Sequence, residues 1–209
     1  MNTRRSINTI KALLASASLA LCSTAANAAI VFQDNFDAEA LELNASLDNW
    51  DVTAGSVDVI GNPGFFDFLP GNGRYLDMDG TTLAAGTIFT KTTFSFLAGI
   101  TYTLSFDLAG NNRSAEAADI VPGFDRIVAA IDGNILTAHA WWQQPFATYT
   151  LTFTPGASFS SKISFQAFGA DNQGPLLDNV VLSAVPLPPA VWLLGSALLG
   201  LIAVGRRRA

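Results

Sequence analysis

Between residues 101 and 108, apolar Tyr102, Leu104, Phe106 and Leu108 alternate with Thr101, Thr103, Ser105 and Asp107. Successive side chains of a strand point to opposite faces, so this period of two predicts a strand with one buried and one wet face. The same period returns in Tyr149, Leu151 and Phe153 against Thr148 to Thr154, and in Ile163, Phe165 and Ala167 against Lys162, Ser164 and Gln166. Further apolar runs predict strands at 30–32, 50–53, 56–60, 75–79, 87–93, 126–131 and 176–182. Turn-forming residues separate them: Gly61-Asn62-Pro63-Gly64, Pro70-Gly71-Asn72-Gly73, Asp132-Gly133-Asn134 and Asp171-Asn172-Gln173-Gly174. The stretch 114–118 offers one helical turn, and no long amphipathic helix and no internal repeat are found. About ten short strands without helices predict an all-β fold, a single antiparallel β-sandwich of the jelly-roll kind over residues 29–184.

The apolar residues outside that domain lie in two terminal runs. Arg4, Arg5 and Lys11 precede apolar Ala12 to Leu21, and small residues then lead to Ala26-Asn27-Ala28. A charged start, a short apolar stretch and an A-x-A site form a secretory signal, so residues 1–28 are expected to be removed by signal peptidase after Ala28, with Ala26 and Ala28 as the recognised small residues. Arg4-Arg5 invites a twin-arginine reading, but Asn8 interrupts the apolar pair; Leu21 before Cys22 is too large for a lipoprotein box. Cys22 is the only Cys. It leaves with the signal, so the exported domain has no disulfide to hold it.

At the other end, residues 190–204 are apolar or Gly apart from Ser196, and Arg206, Arg207 and Arg208 follow Gly205. Fifteen helical residues reach about 22 Å, short of the roughly 30 Å hydrocarbon core, a deficit that thinning and snorkelling arginines make up. A transmembrane helix is expected over 190–205, with the Arg cluster stopping transfer on the cytoplasmic side and the domain outside. Just before it, Val185-Pro186-Leu187-Pro188-Pro189 is held extended by its prolines, a form a protease can read. This ordered set of extended Pro motif, short apolar helix with Trp192 near its outer end and terminal arginines resembles the PEP-CTERM sorting signal in its V-P-L-P-A form, departing from it only at Pro189. The resemblance covers 185–209, with the motif on Val185, Pro186, Leu187 and Pro188. It implies recognition by an exosortase, transient anchoring in the inner membrane, removal of the tail, and delivery to the envelope or extracellular matrix of a bacterium that makes exopolysaccharide.

Half of the 209 residues are hydrophobic and 13% are charged, which excludes a disordered chain. The net charge of -6 hides a segregation: between residues 29 and 185 only Arg74, Lys91, Arg113, Arg126 and Lys162 are basic, while all seventeen acids lie there. A domain with a net of -12 is a poor partner for nucleic acid, whose phosphates need a positive surface. Divalent cations and neutral ligands suit it better.

Asn35-Phe36-Asp37, the run Ala98 to Phe106 and Leu177-Asp178-Asn179-Val180 resemble phrases of galactose-binding-like jelly rolls, found in many carbohydrate-binding modules. That resemblance implies a structural Ca²⁺ tying the first strand to the last through Asp37 and Asp178, in place of the missing disulfides. Independently, calcium takes six to eight oxygen ligands, and acidic loops supply them. Asp77 and Asp79, either side of Met78, are read as an exposed acidic face of a strand.

His139 is the sole His, which excludes a multi-His metal centre, and no G-x-S-x-G marks a nucleophile elbow. The acids offer many pairs for glycoside hydrolysis without singling one out. Sugar binding uses exposed aromatic faces with amides nearby. Trp141-Trp142 followed by Gln143-Gln144 has that composition in an expected loop; in a strand, alternation would turn one Trp inward and the other to a glycan. Trp50 reads as core. The two Asn-x-Ser matches at Asn44 and Asn112 carry no reading. The expected function is that of an exported, exosortase-sorted, non-catalytic surface or matrix protein associated with exopolysaccharide or biofilm. The alternatives are a carbohydrate-binding module proper and a small glycan hydrolase.

Overall fold

The computed structural model describes residues 28–64, 66–113, 126–169 and 172–185. Within them the chain forms β1 (Ala29–Asp34), β2 (Trp50–Ala54), β3 (Asp58–Gly61), β4 (Arg74–Asp77), β5 (Thr87–Thr90), β6 (Phe94–Phe96) and β7 (Thr101–Ala109). It continues with β8 (Arg126–Ile131), β9 (Asn134–His139), β10 (Ala147–Phe153), β11 (Phe159–Ser161), β12 (Ile163–Phe168) and β13 (Leu176–Val185). One sheet runs β10-β7-β13-β4-β3 with β1 also on β13, a second runs β2-β5-β12-β8-β9, and β11 pairs with β6. The strand pairings given between these elements are antiparallel, in agreement with the all-β expectation.

The alternating strand over 101–108 behaves as its pattern requires: Tyr102, Leu104, Phe106 and Leu108 are buried. Their face meets the second sheet, where Phe106 packs edge-on against Phe165 with ring centroids 5.0 Å apart. Trp50 from β2 joins the same cluster against Phe165 at 5.7 Å. Its indole N–H donates to Asp34 Oδ2 at 2.9 Å, so the one polar atom of that buried ring is satisfied. These two sheets enclosing one apolar layer make the domain a sandwich. The expected turn at Asp132-Gly133 closes the β8–β9 hairpin, with Asp132 at φ 52°.

Three strands go beyond the sequence expectation. β6 and β11 are three-residue strands that pair only with each other, too short to show a period. β9 carries Ile135 and Leu136 side by side, and its strand character comes from its ladder with β8. The acidic pair needs a correction: Asp77 and Asp79 are buried, not an exposed face. Asp77 sits where β4 lies between β3 and β13, and the turn at Gly174 closes over it.

The expected signal peptide up to Asn27 and the tail from Pro186 onward, including Leu187, Pro188 and the Arg cluster, lie outside the described residues, as does the helical turn at 114–118. Ala28 is exposed, and Val185 closes β13. Ala29, the first residue after the expected cleavage, is the register partner of Ala184.

Candidate functional site

Trp141 and Trp142 occupy a tight turn, as the expected loop there requires. β9 ends at His139, Ala140 is buried, and Gln144 N–H donates to the Trp141 carbonyl at 2.8 Å. Strand alternation therefore does not apply: Trp141 is 53% exposed and Trp142 is half-buried. The turn is clamped to the chain leaving β7. Asn112 N–H donates to the Trp142 carbonyl at 2.7 Å, Gly110 N–H to the Gln144 carbonyl at 3.0 Å, and Gln144 Nε2 to the Leu108 carbonyl at 3.3 Å. Only glycine fits at 110, since a Cβ there would overlap the Trp141 carbonyl. The exposed indole is thus mounted on a fixed backbone, with the amide side chain of Gln143 exposed two residues on.

Asp37 and Asp178 lie at the end of the domain where β1 leaves β13. Asp178 is 2% exposed and accepts the Asn179 N–H at 2.7 Å. Asp37 is exposed; its Oδ1 accepts Arg74 N–H at 2.9 Å and its Oδ2 accepts Asn35 Nδ2 at 2.7 Å. A Cβ on Gly73 would collide with that Oδ1, so the loop can close on Asp37 only through glycine. Removal from water pushes the Asp178 carboxyl up to about 7, and the charges of Asp37, Asp107 and Asp34 push the same way. Those carboxylates therefore feel one another, although among the described residues no group of three or more His, Cys, Asp or Glu side chains is placed to hold a metal ion.

A third place was not read from the sequence. A cleft of roughly 110 Å³ is lined by Asp58, Asp77, Arg113, Phe66, Phe68 and Asn172 among others. Asp58 and Asp77 are register partners across β3 and β4. Asp77 is 1% exposed; its Oδ1 accepts the N–H groups of Asp79 and Gly174 at 3.0 and 3.1 Å, and its Oδ2 pairs with Arg113 Nη2. Desolvation raises its carboxyl to about 8, against the pull of Arg113 and with the neighbouring Asp58 charge adding to the rise. Asp58 Oδ1 accepts Asn44 N–H at 2.7 Å, and its Oδ2 accepts Thr81 Oγ1 at 2.8 Å.

The aromatic part of the cleft is held by Tyr75, whose hydroxyl accepts the N–H groups of Phe68 and Leu69 at 2.8 and 3.0 Å. Phe68 stacks on Phe66 at 6.0 Å and lies 5.0 Å beneath the Arg113 guanidinium. Asn112 ties this corner to the Trp turn, since its Nδ2 donates to the Phe68 carbonyl at 3.2 Å. The available signal was the apolar run Phe65-Phe66-Asp67-Phe68 between two turn sequences, where a loop would ordinarily be polar. A larger and shallower depression of roughly 230 Å³ beside Trp50 offers no aromatic face, because that ring is buried. His139 is exposed on β9.

No family model and no curated protein matches the chain. Solved structures do. The CBM22-1 xylan-binding domain of Paenibacillus barcinonensis Xyn10C is 12% identical over 78% of this chain and 99% of its own, with a TM-score of 0.40. The K3 cleaved adhesin domain of Lys-gingipain from Porphyromonas gingivalis is 16% identical over 75% and 99%, with a TM-score of 0.46. A mutant of CBM29-2, a family 29 carbohydrate-binding module, is 14% identical over 75% and 91%, with a TM-score of 0.38. At this distance they bring neither a ligand nor an activity to this chain, whose site has to be argued from its own residues.

Proposed function

We propose that this chain is an exported, exosortase-sorted surface protein whose jelly-roll domain is a non-catalytic carbohydrate-binding module, holding exopolysaccharide at the Trp141 turn. Trp141 carries the binding reading. A large aromatic ring half open to water, on a turn fixed by three backbone bonds, offers a flat apolar face at little ordering cost, and the C–H face of a pyranose fits it. Hydrolysis is the weaker reading, because Asp58 and Asp77 spend their oxygens on backbone N–H groups, Thr81 and Arg113 rather than on open solvent.

The sorting part rests on the residues of both termini. The pairing of Ala29 with Ala184 supports it, since trimming before Ala29 and beyond Val185 would leave the β1–β13 ladder whole. Calcium belongs to the same reading. Asp37 and Asp178 supply hard oxygen donors, and a bound cation would neutralise the crowded charge around Asp178.

Two measurements test the proposal. Intact mass of the protein from its host should match a chain beginning at Ala29 and ending near the Pro motif; a mass for 29–209 would overturn sorting. In native gels cast with the host exopolysaccharide, the wild type should be retarded and Trp141→Ala should run freely. Equal mobility of the two would overturn binding at that turn.

A further inference from the structure

We propose that the end of the sandwich where the chain enters β1 and leaves β13 is a lipid-docking surface, seated on the outer face of the membrane through Ile30, Val31 and Leu97 before the tail is removed. The proposal rests on the anchored tail of the sorting reading. Ile30 and Leu97 are 63% and 57% exposed, and Val31 42%. They belong to one end of the domain. Ile30 pairs with Ser183, whose hydroxyl donates to the Thr103 carbonyl at 3.4 Å, and Leu97 opens the turn that leads into β7 at Thr101. Phe32 and Phe94, with ring centroids 5.4 Å apart, hold β6 beside β1. Four consecutive N–H groups of the turn, from Leu97 to Ile100, donate within the protein: to the Tyr102 hydroxyl, Ser158 Oγ, the Pro155 carbonyl and the Leu97 carbonyl. Contact with lipid therefore strands no backbone donor of the turn.

Charge and chain length select the occupant. Residues 28–33, 94–106, 147–161 and 180–185, which build this end, contain no charged side chain, in a strongly acidic domain. Asp34 lies roughly 13 Å along β1 from Ile30, and Asp107 roughly 20 Å along β7 from Thr101, both beyond the ~10 Å over which 0.1 M salt lets a charge act. The second sheet adds Asp132, whose N–H donates to Ser161 Oγ, and Lys162, which is 3.2 Å from Asp51. Anionic lipid thus meets little repulsion here. A glycan is the poorer occupant, because the exposed apolar residues are aliphatic while the neighbouring rings of Phe94, Phe96, Tyr102 and Phe153 are buried. From Val185 to Ala190, where the apolar run starts, the chain spans at most about 18 Å. So short a tether keeps this end at the headgroups. The Trp141 turn is bonded to the chain leaving the far end of β7, about 26 Å from Thr101, so docking holds that ring away from the lipid.

The test uses the full chain with Cys22→Ser, reconstituted in vesicles of phosphatidylethanolamine and phosphatidylglycerol, with a nitrobenzoxadiazole label on Ala98→Cys or on Gln143→Cys, both exposed positions. Nitroxide-labelled lipid should quench the label at 98 and leave the label at 143 bright. Ile30→Asp or Leu97→Asp should weaken the quenching at 98 roughly tenfold, the loss of one inserted side chain, and Ile30→Leu should preserve it. Ile30 and Leu97 are exposed, so these variants keep the fold; unchanged melting verifies this. Chains that float with the vesicles while the label at 98 stays unquenched would overturn docking and leave the anchor standing, whereas chains that do not float would overturn both. Equal quenching at 98 and 143 would overturn the end-on placement. A label at 98 shielded from water but unquenched by lipid would put a second copy on this end and overturn the lipid assignment.

Discussion

Asp58 and Asp77 stand directly opposite each other in the β3–β4 ladder, both almost fully buried. Like charges at facing positions of an antiparallel pair repel, and burial deprives these two of bulk-solvent screening. The chain answers with Arg113 on Asp77 and with Asn44 and Thr81 on Asp58.

Above about pH 8, where Asp77 carries its charge, removing one partner of such a pair leaves the other charge buried. Arg113→Ala should therefore lower unfolding free energy by about 3 kcal/mol, at the lower end of the range for broken buried pairs since Arg113 keeps 22% of its side chain in solvent. Asp58→Asn should recover part of the loss in a double-mutant cycle read by urea denaturation. Strict additivity of the two changes would show that the carboxylates do not oppose each other.

The same burial sets a pH dependence. The Asp77 carboxyl titrates near 8 in the folded chain against 3.8 for an unperturbed group. Between those values the folded state holds more protons than the unfolded state, so stability should fall as pH rises from about 4 to about 8. Melting temperatures measured in an Asp178→Asn background should drop across that window, with Glu39, whose carboxyl burial also raises, adding to the drop. Asp77→Asn should flatten the slope, and a slope unchanged by it would place the titration elsewhere.

At the Trp turn, exposure separates binding from stability. Trp141→Ala should abolish polysaccharide retention while changing stability by no more than about 0.5 kcal/mol, as surface substitutions do. Gly110→Ala should weaken retention without touching the ring, because a Cβ there displaces the Trp141 carbonyl. Gel mobility and melting, measured together, distinguish the two variants.

For calcium, the expected result is a melting temperature raised by Ca²⁺ and reversed by chelator. At a hundredfold excess over Kd one site adds about 2.7 kcal/mol. Asp178→Asn should remove most of the effect. Identical melting with and without chelator would refute the Asp37–Asp178 clip.

Much of the fold was legible because strand alternation is local: Tyr102, Leu104, Phe106 and Leu108 face the core as their spacing demands, and Trp50 is buried. Trp141 and Trp142 were legible as a loop with sugar-binding composition, but not which ring would be exposed, which the turn bond from Gln144 to Trp141 decides. The Arg113 cleft was legible only as an unusually apolar loop at Phe65 to Phe68. Its residues come from β3, β4 and separate loops, and no spacing along the chain records that Asp77 will meet Arg113 36 positions later.

By itself, then, the sequence determined what depends on neighbours in the chain: the period of the strands, the turn residues, the acidity of the domain, and terminal motifs that are linear by nature. Tertiary structure decided what depends on neighbours in space. The alternation at Asp77 and Asp79 marks a strand face but not what covers it. Only the packing of β3 and β13 on β4, with Gly174 closing over the end, took those carboxylates out of water and brought Asp77 a cation.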